Sequence, residues 1–112
     1  MATTIQQATE IALALPGAEE KAHFGNVDFR VRNKVFASFP APDALTLKLD
    51  PEHARILVES DADTYALHPG AWGQRGWIRV ALSRIDPDDL ADLIHDSWSR
   101  IAPKSMQSNS CG

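Results

Sequence analysis

Basic side chains recur at every second position in two segments whose apolar residues have the period of a β-strand. Arg30 lies between Phe29 and Val31, and Arg79 lies between Ile78 and Val80. Because side chains alternate between the two faces of a strand, these cations are expected on the face opposite the apolar residues. Such a surface could hold phosphate groups or another anion, and a tryptophan on it could stack on a base. The predicted members of this basic sheet face are Arg30, Arg32, Lys48 and Arg79, with Lys34, Arg75 and Trp77 at its margin.

Charge is distributed unevenly along the chain. The 112 residues carry 11 basic and 15 acidic side chains, for a net charge of −4, which disfavours a nucleic-acid binder that relies on a strong overall positive field. Residues 21–48 nevertheless hold five basic and two acidic residues, and residues 64–85 hold three basic and no acidic ones. The alternative interpretation is structural, since the solvent face of any half-buried antiparallel sheet is polar and Asp28 could neutralise part of it. The residues alone favour this alternative.

The sequence contains no recognisable catalytic, metal or cofactor motif. No two histidines have the spacing of three or four residues that places metal ligands on one helix face. The glycines near Trp72 precede a predicted strand, whereas a phosphate-binding loop precedes a helix. We therefore expect a protein that is not an enzyme and holds no metal or cofactor. The residues considered for such roles and set aside are His23, His53, His68, His95, Ser97, Ser99 and Cys111.

The glycine-rich segment Leu67–Gly76 is predicted to be a loop that leads into a strand. It contains Gly70, Gly73 and Gly76 around Trp72, and fits neither the helical nor the strand period. Trp72 could form the tip of a mobile binding loop, or could pack onto the core from an irregular connection. The second interpretation is favoured by the sequence.

The remaining pattern predicts helices at both ends of the chain and strands between them. A first helix is capped by Thr3 or Thr4 and ends at Pro16-Gly17, and a meander of antiparallel strands with a tight turn at Asn33-Lys34 occupies Ala18–Leu49. A short helix follows Asp50-Pro51, and a final helix opens at Asp86-Pro87 and stops at Pro103. The predicted inward residues are Ile5, Ala8, Ala12 and Leu15 in the first helix, Ala54, Leu57 and Val58 in the second, Ile78, Val80 and Leu82 in the strand Trp77–Leu82, and Leu90, Leu93, Ile94, Trp98 and Ile101 in the last.

This order of elements predicts a single α+β domain over residues 1–104, followed by a disordered polar tail at 105–112. The expected architecture is a two-layer sandwich, a mostly antiparallel β-sheet with helices packed on one face. No apolar stretch approaches the roughly 20 residues needed to cross a bilayer, and Met1–Glu10 lacks the layout of a signal peptide. We therefore expect a cytoplasmic protein without a membrane partner.

Several short motifs follow one another along the chain in a specific order. They are Leu15-Pro16-Gly17-Ala18-Glu19-Glu20, Phe24-Gly25, Phe29-Arg30-Val31, Lys34-Val35-Phe36-Ala37, Leu47-Lys48-Leu49 with Pro51-Glu52, Gly76-Trp77 and Ser97-Trp98. Together they resemble the MmcQ/YjbR-like family of small bacterial proteins, over about residues 5 to 104. The resemblance implies a CyaY-like fold, and it implies DNA binding through a proposed double-wing arrangement.

The leading hypothesis is therefore a non-enzymatic domain that binds DNA weakly and with strong salt sensitivity through the basic sheet face. The first alternative is a module for a small anionic metabolite, with the Trp72 loop as a lid, which requires a concave pocket instead of an open surface. The second alternative is an adaptor that docks on another protein. The sequence leaves a monomer and a homodimer equally open.

Overall fold

The computed structural model describes residues 2–23, 26–41 and 43–102. Within these residues the chain forms four α-helices and six β-strands. The helices are α1 (Ile5–Leu13), α2 (Pro51–Ser60), α3 (Ala71–Gln74) and α4 (Pro87–Ile101). The strands are β1 (Ala18–His23), β2 (Asn26–Val31), β3 (Lys34–Ala41), β4 (Ala44–Lys48), β5 (Tyr65–Leu67) and β6 (Trp77–Ala81). The expectations for Phe24-Gly25, Pro42, Pro103 and the tail 105–112 with Cys111 lie outside the described residues.

The strands form one antiparallel sheet in the order β1-β2-β3-β4-β6-β5. The first four strands are a meander, as predicted, and the chain then reaches the far edge as β5 before β6 returns between β5 and β4. Helix α4 packs on β3 and β4, and α1 packs on α4 and β1. The predicted α+β class, an antiparallel sheet with helices on one face, is confirmed.

The core lies between this sheet and the covering helices. Because strand side chains alternate, the residues of β2, β4 and β6 on the helix-covered side are apolar, and all but Val27 are buried. Trp98 on α4 is 1% exposed, and its indole Nε1 donates to the carbonyl of Pro16 at 3.0 Å. The main buried contributors are Phe29, Val31, Phe36, Leu45, Leu47, Leu49, Ile78, Val80, Leu90, Ile94 and Trp98.

Local sequence signals account for the starts of the helices. The Thr4 hydroxyl accepts from the Gln7 amide at 3.1 Å, and the Gln7 side chain accepts from the Thr4 amide at 2.9 Å, which is the predicted capping box. Asp50 accepts from the amides of Glu52 and His53, directly before Pro51. These caps satisfy backbone donors that a helix leaves free at its first turn.

A β-bulge changes which residues of β3 face the helices. Phe29 pairs with Ala37 whereas Arg30 pairs with Val35, so Phe36 is the extra residue of β3. Phe36 is buried, and its carbonyl accepts a hydrogen bond from the hydroxyl of Ser97 on α4. The same hydroxyl accepts from the Lys48 amide at 3.0 Å. Ser97 thus joins α4 to both β3 and β4.

The glycine-rich segment is more regular than the sequence predicted. Tyr65–Leu67 forms the edge strand β5 on β6, and Ala71–Gln74 forms the single turn α3. Neither element is long enough to display a period, so the expectation of an irregular loop was wrong there. Strand β6 ends at Ala81, and a short 3₁₀ turn follows over Leu82–Arg84.

Two further expectations need correction. Val31 pairs with Lys34, so Arg32 and Asn33 form a two-residue turn with φ of 52° and 67°, and Arg32 is not a strand residue. Positive φ at both central residues is the signature of hairpin turns whose twist matches that of the strands. Helix α1 ends at Leu13, two residues before Leu15, and Ile5 is 43% exposed.

Candidate functional site

A line of polar side chains crosses the sheet on the face opposite α4. The register pairs Asp28 with Ser38, Ser38 with Thr46, and Thr46 with Arg79. Adjacent strands are about 4.8 Å apart, so directly paired side chains on one face are close neighbours. We call this uncovered side of the sheet the open face.

A concave pocket of about 340 Å³ lies over this polar line. We call it the open-face pocket. Asp28, Ser38 and Thr46 of this line supply its floor, while indole and imidazole rings from β6 and the segment before it supply a wall. Its lining residues are Asp28, Val35, Ser38, Thr46, His68, Trp72 and Trp77.

The wall of the pocket is positioned by glycines that permit close backbone contacts. A Cβ on Gly73 would lie 2.2 Å from the carbonyl oxygen of His68, and a Cβ on Gly76 would lie 1.8 Å from that of Leu49. Gly76 also has φ of +104°, a conformation that residues with a Cβ rarely adopt. The backbone that follows Trp72 is therefore held against His68 and Leu49 by contacts that only glycine allows.

Trp72 and Trp77 stand edge to face at the wall of the pocket. Their ring centroids are 5.7 Å apart with an interplanar angle of 75°, a favourable geometry for two aromatic quadrupoles. Trp77 is half-buried, whereas Trp72 is 53% exposed. Trp72 does not pack into the core, so the favoured interpretation from the sequence is wrong.

Thr46 contributes a buried hydroxyl with no partner to the floor of the pocket. Thr46 is 5% exposed, and its side-chain Oγ1 has no hydrogen-bond partner among the described residues. A buried polar group without a partner costs about 1–3 kcal/mol. The sequence showed Thr46 only as a polar residue between Leu45 and Leu47, a signal for the open face but not for a site.

Asp28 and Arg30 form an ion pair within β2. Arg30 Nε donates to Asp28 Oδ1 at 2.9 Å, and an Nη of Arg30 donates to Asp28 Oδ2 at 3.2 Å. The hydrogen bond to Asp28 raises the pKa of Arg30, and burial opposes it. Much of the charge of Arg30 is thereby balanced beside the pocket, as the structural interpretation of the basic sheet face anticipated.

Lys48 and Arg75 lie instead in a second cavity, of about 610 Å³, at the end of β4. Arg100, from the last turn of α4, joins them there. We call this cavity the basic groove, and it is completed by Leu49, Pro51 and Gln74. Sequence reasoning missed Arg100 because α4 and β4 are far apart in the chain and no local pattern brings them together.

The other predicted cations lie elsewhere. Arg79 is exposed on the open face, but it lines a third cavity together with Asp43 and Asp63. Arg32 and Lys34 lie at the β2–β3 hairpin and are exposed. The structure therefore divides the predicted basic sheet face into separate local environments, and Lys48 and Arg75 share the basic groove with Arg100.

Over the ranges 2–23, 26–41 and 43–102, no three histidine, cysteine or acidic residues come together as a metal-ion site. His53 lies near Asp96 at 3.8 Å, in an exposed pair. Ser97, considered for a catalytic role, is fully buried and uses its hydroxyl as both donor and acceptor. A search of the same ranges finds no helix that could span a membrane.

These features define a small α+β protein whose uncovered sheet face carries an aromatic pocket beside a basic groove. The sequence model of the YjbR family matches residues 13–100, and the chain belongs to this family. The resemblance seen in the sequence motifs is thus confirmed. None of the curated proteins matches the chain.

Two solved structures are similar to this chain. Deinococcus radiodurans protein DR2400, described by its domain DUF419, has a TM-score of 0.78 at 21% identity, with 93% of this chain and 82% of DR2400 covered. A protein from Pseudomonas syringae has a TM-score of 0.66 at 18% identity, with 88% of this chain and 99% of that protein covered. At these identities the similarity establishes the fold and assigns no activity.

Proposed function

We propose that this protein is a non-enzymatic binding module that takes a small molecule with a flat ring into the open-face pocket. The observation that carries the proposal is the buried hydroxyl of Thr46, which has no hydrogen-bond partner within the described ranges and lies at the floor of a concave pocket walled by two tryptophans. A ligand that hydrogen-bonds to this hydroxyl would offset the cost of burying it unpaired.

The dimensions and chemistry of the pocket support a small, flat occupant. Ligand pockets measure about 300–1,000 Å³, and this pocket lies at the lower end of that range. The indoles offer stacking surfaces, while Ser38, Thr46 and Asp28 can hydrogen-bond the polar edge of a ring. The metabolite hypothesis requires a concave pocket, whereas the DNA hypothesis requires an open surface. The concave shape therefore favours a small molecule as the ligand.

Trp72 is the part of the wall best able to move. Its side chain is half-exposed, whereas the backbone around it is held by the close contacts of Gly73 and Gly76. Because Thr46 Oγ1 is sealed from solvent, a ligand must displace a neighbouring side chain to reach it. Rotation of the Trp72 indole would open the pocket without moving α3.

The proposal is tested with neutral ring compounds, adenosine, cytidine and nicotinamide, by isothermal titration calorimetry and tryptophan fluorescence. We expect saturable one-to-one binding of at least one compound, with a loss of about tenfold or more in Trp72→Ala, since stacking on an aromatic side chain contributes about 1–3 kcal/mol. Arg32→Gln, at the distant hairpin, is the matched control and should bind as the wild type does. Binding by none of the compounds, or equal binding by Trp72→Ala, would refute the proposal.

DNA binding is the second candidate, favoured by the exposed Trp72 ring with the guanidinium of Arg75 6.0 Å from its centroid. An aromatic surface beside cations is how many proteins hold single strands. The test is fluorescence anisotropy of labelled duplex and single-stranded DNA at low and moderate salt. Lys48→Glu with Arg75→Glu should abolish binding, whereas Arg30→Glu should have a smaller effect because Asp28 already balances Arg30. No binding by the folded wild type at low salt would exclude this candidate.

A further inference from the structure

The basic groove carries more positive charge than its surroundings balance. In the part of the chain that the structure describes, its lining contains Lys48, Arg75 and Arg100 and no carboxylate. Arg100 contacts Asp96 at 3.5 Å, but no ion pair of Lys48 or Arg75 is found in the described part of the chain. Three elements thus bring cations together against their mutual repulsion, and an anion bound there would be attracted by all three.

The basic groove and the open-face pocket share a boundary. Trp72, in the pocket wall, and Arg75, in the groove, are three residues apart, and the Arg75 Cζ lies 6.0 Å from the centroid of the Trp72 ring. On the sheet, Lys48 in the groove pairs directly with Trp77 in the pocket. Directly paired residues have Cβ atoms about 5 Å apart. One small molecule can therefore reach both cavities.

The two cavities suit different chemical groups at the two ends of such a molecule. The pocket suits a flat ring whose edge carries hydrogen-bonding nitrogen and oxygen atoms, because its floor presents hydroxyls and a carboxylate. The groove suits a multiply charged anion, and two guanidinium groups match the oxygen geometry of a phosphate particularly well. A nucleotide joins a nitrogen heterocycle to a phosphate through a sugar of suitable length.

We infer that the ligand is a nucleotide, with its base in the open-face pocket and its phosphate in the basic groove. This inference rests on the proposed function and adds the identity of the ligand class and the role of Lys48, Arg75 and Arg100. The same chemistry has two sources, a free nucleotide or a nucleotide within a single strand. The pocket admits one base, and the groove beside it admits its phosphate, in either case.

The test compares adenosine and cytidine with their 5′-monophosphates, and with inorganic phosphate, by isothermal titration calorimetry. The four proteins are the wild type, Trp72→Ala, Arg75→Gln with Arg100→Gln, and Arg32→Gln with Arg84→Gln. The last variant removes the same number of charges at exposed positions outside both cavities, so it reports any effect of overall charge. Circular dichroism verifies that each variant is folded.

We expect at least one monophosphate to bind tenfold or more tightly than its nucleoside. In the groove variant the affinity of the monophosphate should fall to the affinity that the nucleoside has for the same variant. Trp72→Ala should weaken both ligands, and the charge-matched control should weaken neither by more than about twofold. Raised salt should reduce only the added affinity of the phosphate.

The outcomes separate this inference from the proposed function. If a nucleoside binds through Trp72 and its phosphate adds nothing, the inference is wrong and the proposed function stands. If monophosphates bind equally well in Trp72→Ala, or no better than inorganic phosphate, the groove is a separate anion site and the inference is wrong. If no ring compound binds, both fail.

A single-stranded decamer of matching sequence distinguishes the two sources of the nucleotide. If the decamer displaces the monophosphate and binds with a higher affinity per site, the preferred source is a nucleotide within a strand. Binding of the monophosphate without competition by the decamer would identify the free nucleotide. Both results support the inference, because in each the monophosphate occupies the open-face pocket and the basic groove.

Discussion

Ser97 and Thr46 are both buried hydroxyls, on opposite sides of the same sheet, and their surroundings differ. On the helix-covered side, Ser97 donates to the Phe36 carbonyl and accepts from the Lys48 amide. On the open face, Thr46 Oγ1 has no hydrogen-bond partner among the described residues. A hydroxyl with two hydrogen-bond partners helps to hold the fold together. A buried hydroxyl without a partner can still form a hydrogen bond with a ligand. This difference is the reason why we propose a binding site on the open face.

The largest expected effect comes from the glycine that docks the pocket wall on the sheet. Gly76→Ala should lower the free energy of unfolding by about 3 kcal/mol or more, because a new Cβ meets the Leu49 carbonyl at a positive φ. Gly70→Ala is the matched control, since Gly70 also has positive φ but has no neighbour within 4 Å of an added Cβ. Urea denaturation measures both variants. Equal losses would show that the close contact contributes nothing beyond the backbone angle.

The next largest effect is expected when the hydroxyl of Ser97 is removed. Ser97→Ala leaves the Phe36 carbonyl and the Lys48 amide without their partner, so the free energy of unfolding should fall by about 2 kcal/mol. Ser60→Ala, at the end of α2, should change it by less than about 0.5 kcal/mol, because Ser60 is exposed, its hydroxyl donates to the nearby Leu57 carbonyl, and alanine favours helices. A loss in Ser97→Ala no larger than in Ser60→Ala would remove the contrast between the two faces of the sheet.

Thr46→Val should act in the opposite direction. Valine has nearly the shape of threonine without the unpaired hydroxyl, so the free energy of unfolding should rise by about 1 kcal/mol. Affinity for the ring compound should fall at the same time, because the ligand loses its partner on the pocket floor. Thermal unfolding and calorimetry measure the two changes. A less stable Thr46→Val protein would mean that the hydroxyl has a partner in the free protein, contrary to the proposal.

The smallest expected effect concerns the β2–β3 turn. Arg32→Asn should raise the free energy of unfolding by about 0.5 kcal/mol, since asparagine tolerates a positive φ better than arginine does. Ligand binding should not change, because the hairpin is outside both cavities. Unfolding by urea and the calorimetric titration check the two parts. A loss of affinity in this variant would mean that the site extends toward the hairpin, contrary to the assignment of the site to the two cavities.

The fold followed largely from local patterns. The period of two in β2, β4 and β6, the capping box at Thr4 and the prolines after Asp50 and Asp86 each depend on neighbours in the sequence. These signals predicted most helices and strands close to their observed bounds. The short elements β5 and α3 escaped prediction because three or four residues carry too little pattern, and their shape depends on packing against β6 and the sheet.

The site was predictable only in part. Alternation correctly assigned Arg30, Lys48, Trp77 and Arg79 to the open face, because the side of a strand on which a residue lies is a local property. The sequence did not reveal that Trp72 forms the pocket wall. It also could not show that Arg79 shares a cavity with two carboxylates, which come from different parts of the chain.

The sequence by itself determined the helices, the longer strands and the face to which each strand residue belongs. Those properties arise from backbone geometry and the burial of apolar area over a few neighbouring residues. Tertiary structure alone decided that Arg100 meets Lys48 and Arg75, and that Thr46 is buried without a partner under the aromatic wall. Such features depend on which distant segments pack together, and a cavity exists only once all of its walls are in place.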